Sequence, residues 1–443
     1  MAYSSKCLDI LLSTWEGGGN VPPTLGAARR LLARGHRVRI MADSVIGPEA
    51  LAAGADFIPW TRAPNRMDRR PTSDPLRDWE AESDIHGFLL LRDRIMCGPA
   101  LAYARDVLDE LARRPADAIV TCETLLGVFV GSDAAQVPLG LLCTNVSLFP
   151  LPGLPPLGMG LPPAASEIER AQYARFGKEL LASLSEGLAP LNEARVALGL
   201  QPVKDFTELF LIAQRVLLAT SPAFDFAADT LPSGFHYVGP LLREPAWAQG
   251  QPEARPDEAE LPLVVVSFST TFQDQLGAVE NTVQALADLP VRGVVTLGPA
   301  LAGSRVPAPA NVTVVDFASH DRLMAQASVV VTHAGHGTVI RSLAHGVPLL
   351  CLPMGRDQHD NAIRVTTRGA GLTLGRNAPT SEIGAALSRL LSDSSFRAAA
   401  QRLAGEIAGG AGTADFVAEV EALASARALR PTAKPSRPTE PCS

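Results

Sequence analysis

The sequence predicts an α/β protein with two doubly wound parallel sheets, one in each half of the chain. Apolar runs of strand length alternate with helical patterns in both halves, which is the order of elements in sheets built from βαβ units. In the second half the runs are continuously apolar, which indicates strands covered on both faces. The chain has 443 residues, more than a single hydrophobic core usually supports, so we expect two domains.

The first elements form a βαβ unit. A strand over residues 8–14 is interrupted by three consecutive glycines at 17–19, and a helical pattern opens at Pro23. Gly35 supplies a left-handed stop, after which the run HRVRIM resumes as a second strand. Further strands are predicted over residues 117–121 and 139–144.

The middle of the chain changes in composition. After Pro150 the sequence LPGLPPLGMGLPP is too rich in Pro and Gly for a regular element, so it is predicted to be a loop. Ser166 and Glu169 have the spacing of a capping box, which opens a helical region to about residue 198. A strand is expected at RVLLAT, and the Pro-rich, acidic residues 239–262 predict a solvated linker.

The second half repeats the alternation and ends in a helix. Strands are predicted at PLVVVSF, RGVVTLG, VTVVDF, SVVVTH and VPLLCLP. The chain is thus divided into an N-terminal domain (1–238), the linker (239–262), a C-terminal domain (263–411), a C-terminal helix expected to pack back on the N-terminal domain (412–429) and a disordered tail (430–443).

Composition excludes several classes of function. The net charge is -7 and no long basic run occurs, so binding of a nucleic acid is not expected. No apolar stretch has the length of a membrane span, which argues against stable membrane insertion. The six cysteines lack the paired spacings of a zinc site or a disulfide framework, and a reducing cytoplasm fits them best. The sequence contains no Asp-X-Asp cluster, the pattern that would indicate a metal site.

The strongest chemical signal lies in residues 329–362, VVVTHAGHGTVIRSLAHGVPLLCLPMGRDQHDNA. A strand is predicted to end at His333, Gly335 and Gly337 let a ligand approach the backbone, and Thr338 begins a helix. The free N–H groups of such a helix start attract phosphate. The imidazole of His333 and the hydroxyl of Thr338 can add hydrogen bonds, which together predict a diphosphate site.

The next strand brings two more polar side chains to the same edge of the sheet. Asp357 and Gln358 follow its carboxyl end and are suited to binding sugar hydroxyls. Each feature also has a purely structural interpretation: glycine turns serve tight packing, and an Asp at this place is often a helix cap. The histidines at 336, 345 and 359 are assigned structural or surface roles.

This segment closely resembles the donor-binding signature of family 1 glycosyltransferases. The resemblance implies the GT-B architecture, two Rossmann-like domains facing each other across a cleft, and transfer with inversion from a nucleotide-activated sugar. It assigns the diphosphate to His333, Gly337 and Thr338, and the transferred sugar to Asp357 and Gln358. Two further assignments are a phosphate-facing turn at Ser269 and Thr270 and a base contact at Phe317, which is equally well explained as a core residue.

The resemblance extends to the acceptor half. The stretch GGGNVPPTLGAARRLLARGH is similar to the first loop and helix of the family, and the Pro-rich loop to its acceptor-side loop. This implies an acceptor-binding N-terminal domain and a nucleotide-sugar-binding C-terminal domain. The implied partners are a small-molecule donor and a lipophilic acceptor such as a polyketide, macrolide or enediyne, or else a lipid or sterol. We expect a monomer or homodimer.

The sequence departs from the family at the catalytic base. Asn20 stands where most relatives place a histidine, and an amide cannot take up a proton near neutral pH. The aspartate partner of that histidine falls on Cys122, which makes the adjacent Glu123 a candidate base or a helix cap. Asp84 and His86 form a second candidate pair, or else an exposed loop.

A further departure concerns the nucleotide. Arg341 stands where many relatives have a ribose-binding glutamate, which favours a deoxythymidine over a uridine diphosphate sugar, although Arg341 can also simply be solvated or paired with an acid. The expected reaction is in-line displacement without a metal or other cofactor. Two other functions stay open, a catalytically weak nucleotide-sugar-binding helper and a nucleotide-sugar epimerase.

Overall fold

The computed structural model describes residues 7–147, 151–242, 244, 260–268 and 271–427. The predicted tail and most of the predicted linker lie outside these residues. Within the described ranges the chain forms two parallel sheets with helices on both faces, and this confirms the predicted doubly wound α/β class. None of the helices in the described part combines the length and the apolar character that spanning a bilayer would require.

The N-terminal sheet has seven parallel strands in the order β3-β2-β1-β4-β5-β6-β7. Its central strands are buried along their whole length, as continuous apolar runs predict. The strands are β1 (Asp9–Ser13), β2 (Arg37–Ala42), β3 (Asp56–Pro59), β4 (Ala118–Cys122), β5 (Leu139–Cys143), β6 (Arg215–Leu218) and β7 (Phe235–Tyr237).

Eight α-helices accompany these strands in the described part. They are α1 (Val21–Ala33), α2 (Gly47–Ala52), α3 (Asp84–Leu91), α4 (Ala100–Arg113), α5 (Leu126–Ala135), α6 (Glu167–Ser185), α7 (Ala189–Ala197) and α8 (Phe206–Phe210).

The C-terminal sheet has six parallel strands in the order β10-β9-β8-β11-β12-β13. The strands are β8 (Leu263–Ser267), β9 (Arg292–Thr296), β10 (Val312–Val315), β11 (Ala327–Thr332), β12 (Leu349–Cys351) and β13 (Gly371–Thr373). The helices are α9 (Leu276–Leu286), α10 (Gly298–Leu301), α11 (His320–Met324), α12 (His336–Ala344), α13 (Gln358–Thr367), α14 (Thr380–Ser392), α15 (Ser394–Gly409) and α16 (Phe416–Arg427).

The last helix, α16, packs against the N-terminal sheet. Phe416, Val420 and Leu423 belong to the same apolar cluster as β1, β2 and α1. Glu421 pairs with Arg34 and with the buried ring of His36 at 3.1 Å. The chain therefore crosses from the C-terminal domain back to the N-terminal one before it ends.

The long helical region predicted from Ser166 to about residue 198 is two helices, because the chain breaks between α6 and α7 at residues 186–188. Ser166 caps α6 by accepting a hydrogen bond from the Glu169 N–H. The return bond of the capping box is displaced by one residue, since the Glu169 carboxylate accepts from the Ala165 N–H at 2.6 Å.

Segments of the two domains pack against each other more extensively than the sequence predicts. Phe224, in the region assigned to the N-terminal domain, is fully buried in an apolar cluster with Val339 and Leu343 of α12. Within the predicted solvated linker, Leu241 is buried against α1 and α16. Apolar contacts that join distant segments are not visible in local composition, so neither contact could be predicted from it.

Candidate active site

A cleft of about 990 Å³ lies between the two domains. It is bordered by the carboxyl ends of strands in both sheets, which is where open parallel sheets bind ligands. One wall comes from the N-terminal domain and the other from the C-terminal domain, so a molecule in the cleft touches both.

The C-terminal wall is built around the start of α12. The strand β11 ends at Thr332, and Gly335 occupies the N-cap position, so the helix starts at His336 and not at Thr338 as predicted. Gly337 and Thr338 thus lie in the first turn, where backbone N–H groups have no partner within the helix. Both line the cleft, together with Gly335 and His333.

His333 is a neutral side chain at the base of this turn. Burial lowers its pKa to about 3, and the positive charge of Arg356 acts in the same direction. Its ring stacks on Phe268 with 6.4 Å between centroids. A Cβ atom at position 335 would lie 2.4 Å from its Nε2 atom, which explains the glycine there. A neutral imidazole has one N–H donor, and the ring of His333 is already hydrogen-bonded to the backbone of Ser267.

The two residues assigned to the sugar, Asp357 and Gln358, differ in how many of their polar side-chain atoms are already hydrogen-bonded within the protein. Asp357 stands at the N-cap of α13, but it does not cap the helix, because its Oδ2 atom accepts a hydrogen bond from the Asn361 side chain at 2.8 Å. Burial raises its pKa. Gln358 is 3% exposed and both ends of its amide are engaged, with the Met354 N–H and with Gln273.

The part of this wall around α11 is polar. Arg341 is buried and pairs with Asp321, so of its two structural alternatives the paired one is found. Glu244 accepts hydrogen bonds at 2.7 Å from the Ser319 hydroxyl and the Asp321 N–H at the start of α11. Burial lowers the pKa of the neighbouring His320 to about 4, with Arg341 contributing.

Three other residues predicted for the donor have different outcomes. Phe317 is 37% exposed, so it is not a core residue, and it is not among the described residues that line the cleft. Ser269 and Thr270 lie outside the described residues.

The N-terminal wall is largely apolar. Trp15, Trp79, Phe88, Leu91 and Leu157 line it, and they come from several different segments of the domain. Such a surface loses unfavourable contact with water when an apolar molecule covers it.

Asn20 lies where this wall meets the floor of the cleft, at the start of α1. Its Oδ1 atom accepts a hydrogen bond from the hydroxyl of Thr144 at 2.9 Å. The carboxamide nitrogen donates to no partner within the described ranges, so Asn20 can orient an oxygen atom of a ligand but cannot remove its proton.

Glu123 follows the end of β4 and is 1% exposed. Its Oε2 atom has no hydrogen-bond partner within the described residues. Burial raises its pKa to about 8, and the charge of Asp357 on the opposite wall adds to the shift. It is not the cap of the following helix, because the N-cap residue of α5 is Leu125. Its neighbour Thr124 lines the cleft, whereas Glu123 is not among the described residues that do so.

Comparisons with known proteins agree with this geometry. Residues 280–423 match the family described as erythromycin biosynthesis protein CIII-like, C-terminal domain. The chain is 29% identical over 425 residues to 4'-demethylrebeccamycin synthase of Lentzea aerocolonigenes, covering 94% of this chain and 99% of that protein. It is 26% identical over 439 residues to demethyllactenocin mycarosyltransferase of Streptomyces fradiae, covering 95% and 88%. By enzyme class the chain is a glycosyltransferase.

Solved structures show the same fold. The glycosyltransferase of kitacinnamycin superposes with a TM-score of 0.72 at 21% identity, covering 96% of this chain and 99% of that one. The calicheamicin glycosyltransferase CalG4 superposes with a TM-score of 0.68 at 23% identity, covering 95% and 99%. The GT-B architecture expected from the sequence is thereby confirmed.

For the second candidate base pair of the glycosyltransferase, the structure describes the side chain of His86. The Nδ1 atom of His86 accepts a hydrogen bond from the Glu82 N–H at 3.2 Å, so its ring serves a local turn, and His86 is absent from the described residues that line the cleft. Asp84 begins α3, and its side chain lies outside the described residues. The Cys122 thiol is buried, and burial raises its pKa to about 12.

Sequence reasoning missed a contact that joins the two walls of the glycosyltransferase. Arg356 forms an ion pair with Asp78 and donates to the Gly17 carbonyl at 3.3 Å, so it links the C-terminal wall to the glycine loop after β1. Gln273 also donates to Asp78, at 3.4 Å. Asp78 lies in a segment without a recognisable motif, and no signal in the sequence pairs it with Arg356.

A second missed contact involves His336. Its Nε2 atom lies 3.0 Å from the Thr220 hydroxyl, and its ring is also hydrogen-bonded to the backbone of Thr144. Burial lowers its pKa to about 4. The structural role assigned to His336 therefore consists of joining the first turn of α12 to the N-terminal sheet.

Proposed function

We propose that this glycosyltransferase moves a sugar from a nucleoside diphosphate to a lipophilic small molecule, with inversion at the anomeric carbon. The observation that carries the proposal is the contrast between the two walls of the cleft. An amide-rich helix start, suited to a diphosphate, faces a wall of aromatic and aliphatic side chains, suited to an apolar acceptor.

The donor is expected to bind along the start of α12. The N–H groups of residues 335–338 supply hydrogen bonds to the diphosphate, the neutral ring of His333 is expected to contact it, and the helix dipole favours its negative charge. These donors are fixed before the reaction, so they stabilise the leaving diphosphate as its charge develops. Asp357 is suited to hold a sugar hydroxyl, whereas the engaged amide of Gln358 is suited to shaping the wall.

The acceptor hydroxyl attacks the anomeric carbon from the N-terminal wall. The new bond joins the acceptor oxygen to this carbon as the bond to the diphosphate oxygen breaks, and the acceptor proton must leave. Glu123 is our candidate for the proton acceptor, because burial brings its pKa to about 8, close to a working pH. Since its carboxylate lies behind the cleft surface, we expect one bridging water to carry the proton, while Asn20 orients the acceptor.

The nucleotide is expected to be deoxythymidine diphosphate. The place of a ribose-binding carboxylate is taken by Arg341, and Asp321 is already bound to it. A deoxyribose, which lacks the 2′-hydroxyl, needs one hydrogen-bond acceptor fewer. Calorimetry with deoxythymidine and uridine diphosphates tests this preference, and tighter binding of the uridine form would refute it.

We expect the transfer to need no bound cation, because the helix start and its side chains already oppose the charge of the diphosphate. The test is transfer in the presence of excess chelator, with added magnesium as the comparison. A rate that collapses with the chelator and returns with magnesium would contradict this expectation.

A mass-spectrometric screen tests the overall proposal. The relatives named for calicheamicin and demethyllactenocin support natural-product acceptors in the library, offered with deoxythymidine and uridine diphosphate sugars. We expect a glycoside and one free nucleoside diphosphate per transfer. A rearranged sugar nucleotide without glycoside would indicate an epimerase, and donor binding without transfer to any acceptor would indicate a binding helper.

A further inference from the structure

The carboxylate of Asp360 joins the C-terminal domain to the Pro-rich loop of the N-terminal domain, residues 151–165, here called the acceptor loop. Its Oδ2 atom accepts a hydrogen bond from the Gly158 N–H at 2.5 Å, and its Oδ1 atom accepts one from the Gly160 N–H at 3.1 Å. Asp360 is 3% exposed. Each oxygen thus holds one amide of a loop that belongs to the opposite domain.

We propose that Asp360 is a positioning residue that completes the acceptor pocket by holding the acceptor loop against the donor-binding helix α13. The proposal rests on the proposed function, because it needs α13 to face the donor sugar. Through Asp360 the binding sites of the two substrates are physically linked, and no residue assigned from the sequence supplies such a link.

The backbone of the loop is shaped for this contact. Gly158 and Gly160 have φ angles of +84° and +60°, a region in which residues with a side chain are strained. A Cβ atom at position 158 would lie 2.4 Å from the Phe88 ring, and one at position 160 would lie 2.9 Å from Cβ of His359. The loop therefore fits between α3 of the N-terminal wall and α13 with no room for a side chain at these two positions.

The position of Asp360 in α13 links the expected donor-sugar site to the acceptor loop. It lies in the first turn of α13, three residues after Asp357, so one helical turn carries both a sugar-binding candidate and the loop anchor. Arg364, on the next turn, donates to the Asp360 carbonyl and to Asp225, not to the Asp360 carboxylate. The hydrogen bonds of that carboxylate within the described residues both go to the loop.

The remainder of the loop is attached to its own domain. The Asp229 N–H donates to the Pro152 carbonyl at 2.8 Å, and the Ala165 N–H donates to the Glu169 carboxylate. Leu157, which lines the cleft, lies between these two attachments and directly precedes the Asp360 contact. Losing that contact should therefore free the part of the loop that forms the pocket wall.

The variant Asp360→Asn tests the proposal with little change in volume. The carboxamide keeps one acceptor oxygen but turns an NH2 group toward one of the two loop amides. We expect the KM for the acceptor to rise about tenfold, the loss typical of one hydrogen bond to a charged group. The affinity for free nucleoside diphosphate, measured by calorimetry, should stay at the wild-type value. The fraction of donor lost to hydrolysis should increase, because water enters the less complete cleft.

Glu169→Gln is the matched control. Glu169 also accepts a hydrogen bond from a loop amide, but it lies in the N-terminal domain, so its replacement should leave both the acceptor KM and the hydrolysed fraction unchanged. Gly160→Ala disturbs the same contact from the loop side and should reproduce the effect of Asp360→Asn. The double variant should then be little worse than either single variant.

The same measurements can refute the positioning role of Asp360. An unchanged acceptor KM in Asp360→Asn, or an equal loss of nucleoside diphosphate affinity, would refute the positioning role. Limited proteolysis of the acceptor loop is independent of activity and should be faster in Asp360→Asn than in the wild type. If the wild type transfers no sugar, the proposed function fails. Proteolysis at equal rates in the two proteins refutes the anchoring of the loop by Asp360.

Discussion

The side chain of Asn20 accepts a hydrogen bond from the hydroxyl of Thr144, with 2.9 Å between the two oxygen atoms. Asn20 is the N-cap residue of α1, and Thr144 follows the end of β5, so the bond joins a helix start to a strand end at the cleft. The carbonyl end of the amide is thereby occupied, and its NH2 group has no partner in the part of the chain that the structure describes. This arrangement suits an amide that orients the acceptor and gives it no role in removing a proton.

We predict that Asn20→Ala lowers kcat/KM only about tenfold, because it removes one hydrogen bond to the acceptor. The pH dependence of the rate should not change. Thr144→Val is the companion variant, which frees the amide without removing it, and we expect a smaller loss in the same direction. A loss beyond roughly a thousandfold, or an altered pH profile, in Asn20→Ala would show that the amide does more than orient the acceptor.

The pKa of Glu123 predicts a pH profile for the transfer. A base must be ionised to accept a proton, and burial raises the pKa of this carboxyl to about 8. The rate should therefore rise with pH up to about 8 and level off above it. Glu123→Gln should lower kcat by roughly 10²- to 10⁴-fold and remove this rise. Wild-type turnover in the variant would exclude Glu123 as the base.

A stability measurement controls for misfolding of this variant. A carboxyl whose pKa is raised in the fold stabilises the protein below its ordinary value of 4.5 and loses that contribution as pH rises toward 8. Glu123→Gln has no such group, so above about pH 8 its melting temperature should equal or exceed that of the wild type. A lower melting temperature there would mean that the lost rate reflects damage to the fold.

Gly335 should be the least replaceable glycine of the donor site. A methyl group there would lie 2.4 Å from Nε2 of His333, so Gly335→Ala must displace the ring from the turn. We expect the affinity for nucleoside diphosphate to fall about tenfold or more, the typical result of overpacking a filled site. Gly277→Ala, where a Cβ atom meets nothing within 4 Å, is the control for calorimetry. Equal affinities in the two variants would contradict the assignment.

The sequence predicted the parts of this enzyme that depend on local pattern. Long apolar runs identified the central strands, and the glycines after His333 identified the start of α12 to within two residues. The short strands β3, β7 and β13 were not predicted, because three or four residues carry too little periodicity to distinguish a strand from a loop.

The contacts across the cleft could not be predicted in this way. Arg356 and Asp78 are far apart in the chain, and their pairing depends on how the two domains meet. The same holds for Asp360 and the acceptor loop. His86 illustrates the opposite error, because proximity to Asp84 in the sequence suggested a functional pair, whereas its ring completes a turn.

The ion pair of Arg356 with Asp78 should stabilise the closed cleft. Removing one partner leaves the other charge partly buried, but Arg356 keeps 25% of its side chain exposed, so the cost should be below the roughly 3–5 kcal/mol of a fully buried pair. We predict a loss of about 2 kcal/mol in the free energy of unfolding for Arg356→Met or Asp78→Asn. The double variant should lose less than the sum of the two.

Chemical denaturation measures this coupling. The control is Arg175→Met, which removes an ion pair with Glu179 whose side chains are each 65% exposed, and it should change the free energy by less than about 0.5 kcal/mol. If the losses in the Arg356 and Asp78 variants add fully in the double variant, the two residues do not stabilise each other.

Three buried histidines should make the fold sensitive to acid. Burial lowers the pKa of His320, His333 and His336 to about 4, 3 and 4, below the ordinary value of 6.5. The folded protein therefore binds fewer protons than the unfolded chain as pH falls through 6.5, and its stability declines between pH 6.5 and about 4. At about pH 5.5 each histidine should cost roughly 1 kcal/mol relative to about pH 7.5.

The variant His336→Gln isolates one of these contributions. It lacks the imidazole, so over this pH interval it should lose about 1 kcal/mol less than the wild type in chemical denaturation. Thr220→Val removes a partner of His336 and keeps the ring, so it should weaken the fold by a similar amount at both pH values. A wild-type slope in His336→Gln would show that burial of this imidazole does not set the acid sensitivity.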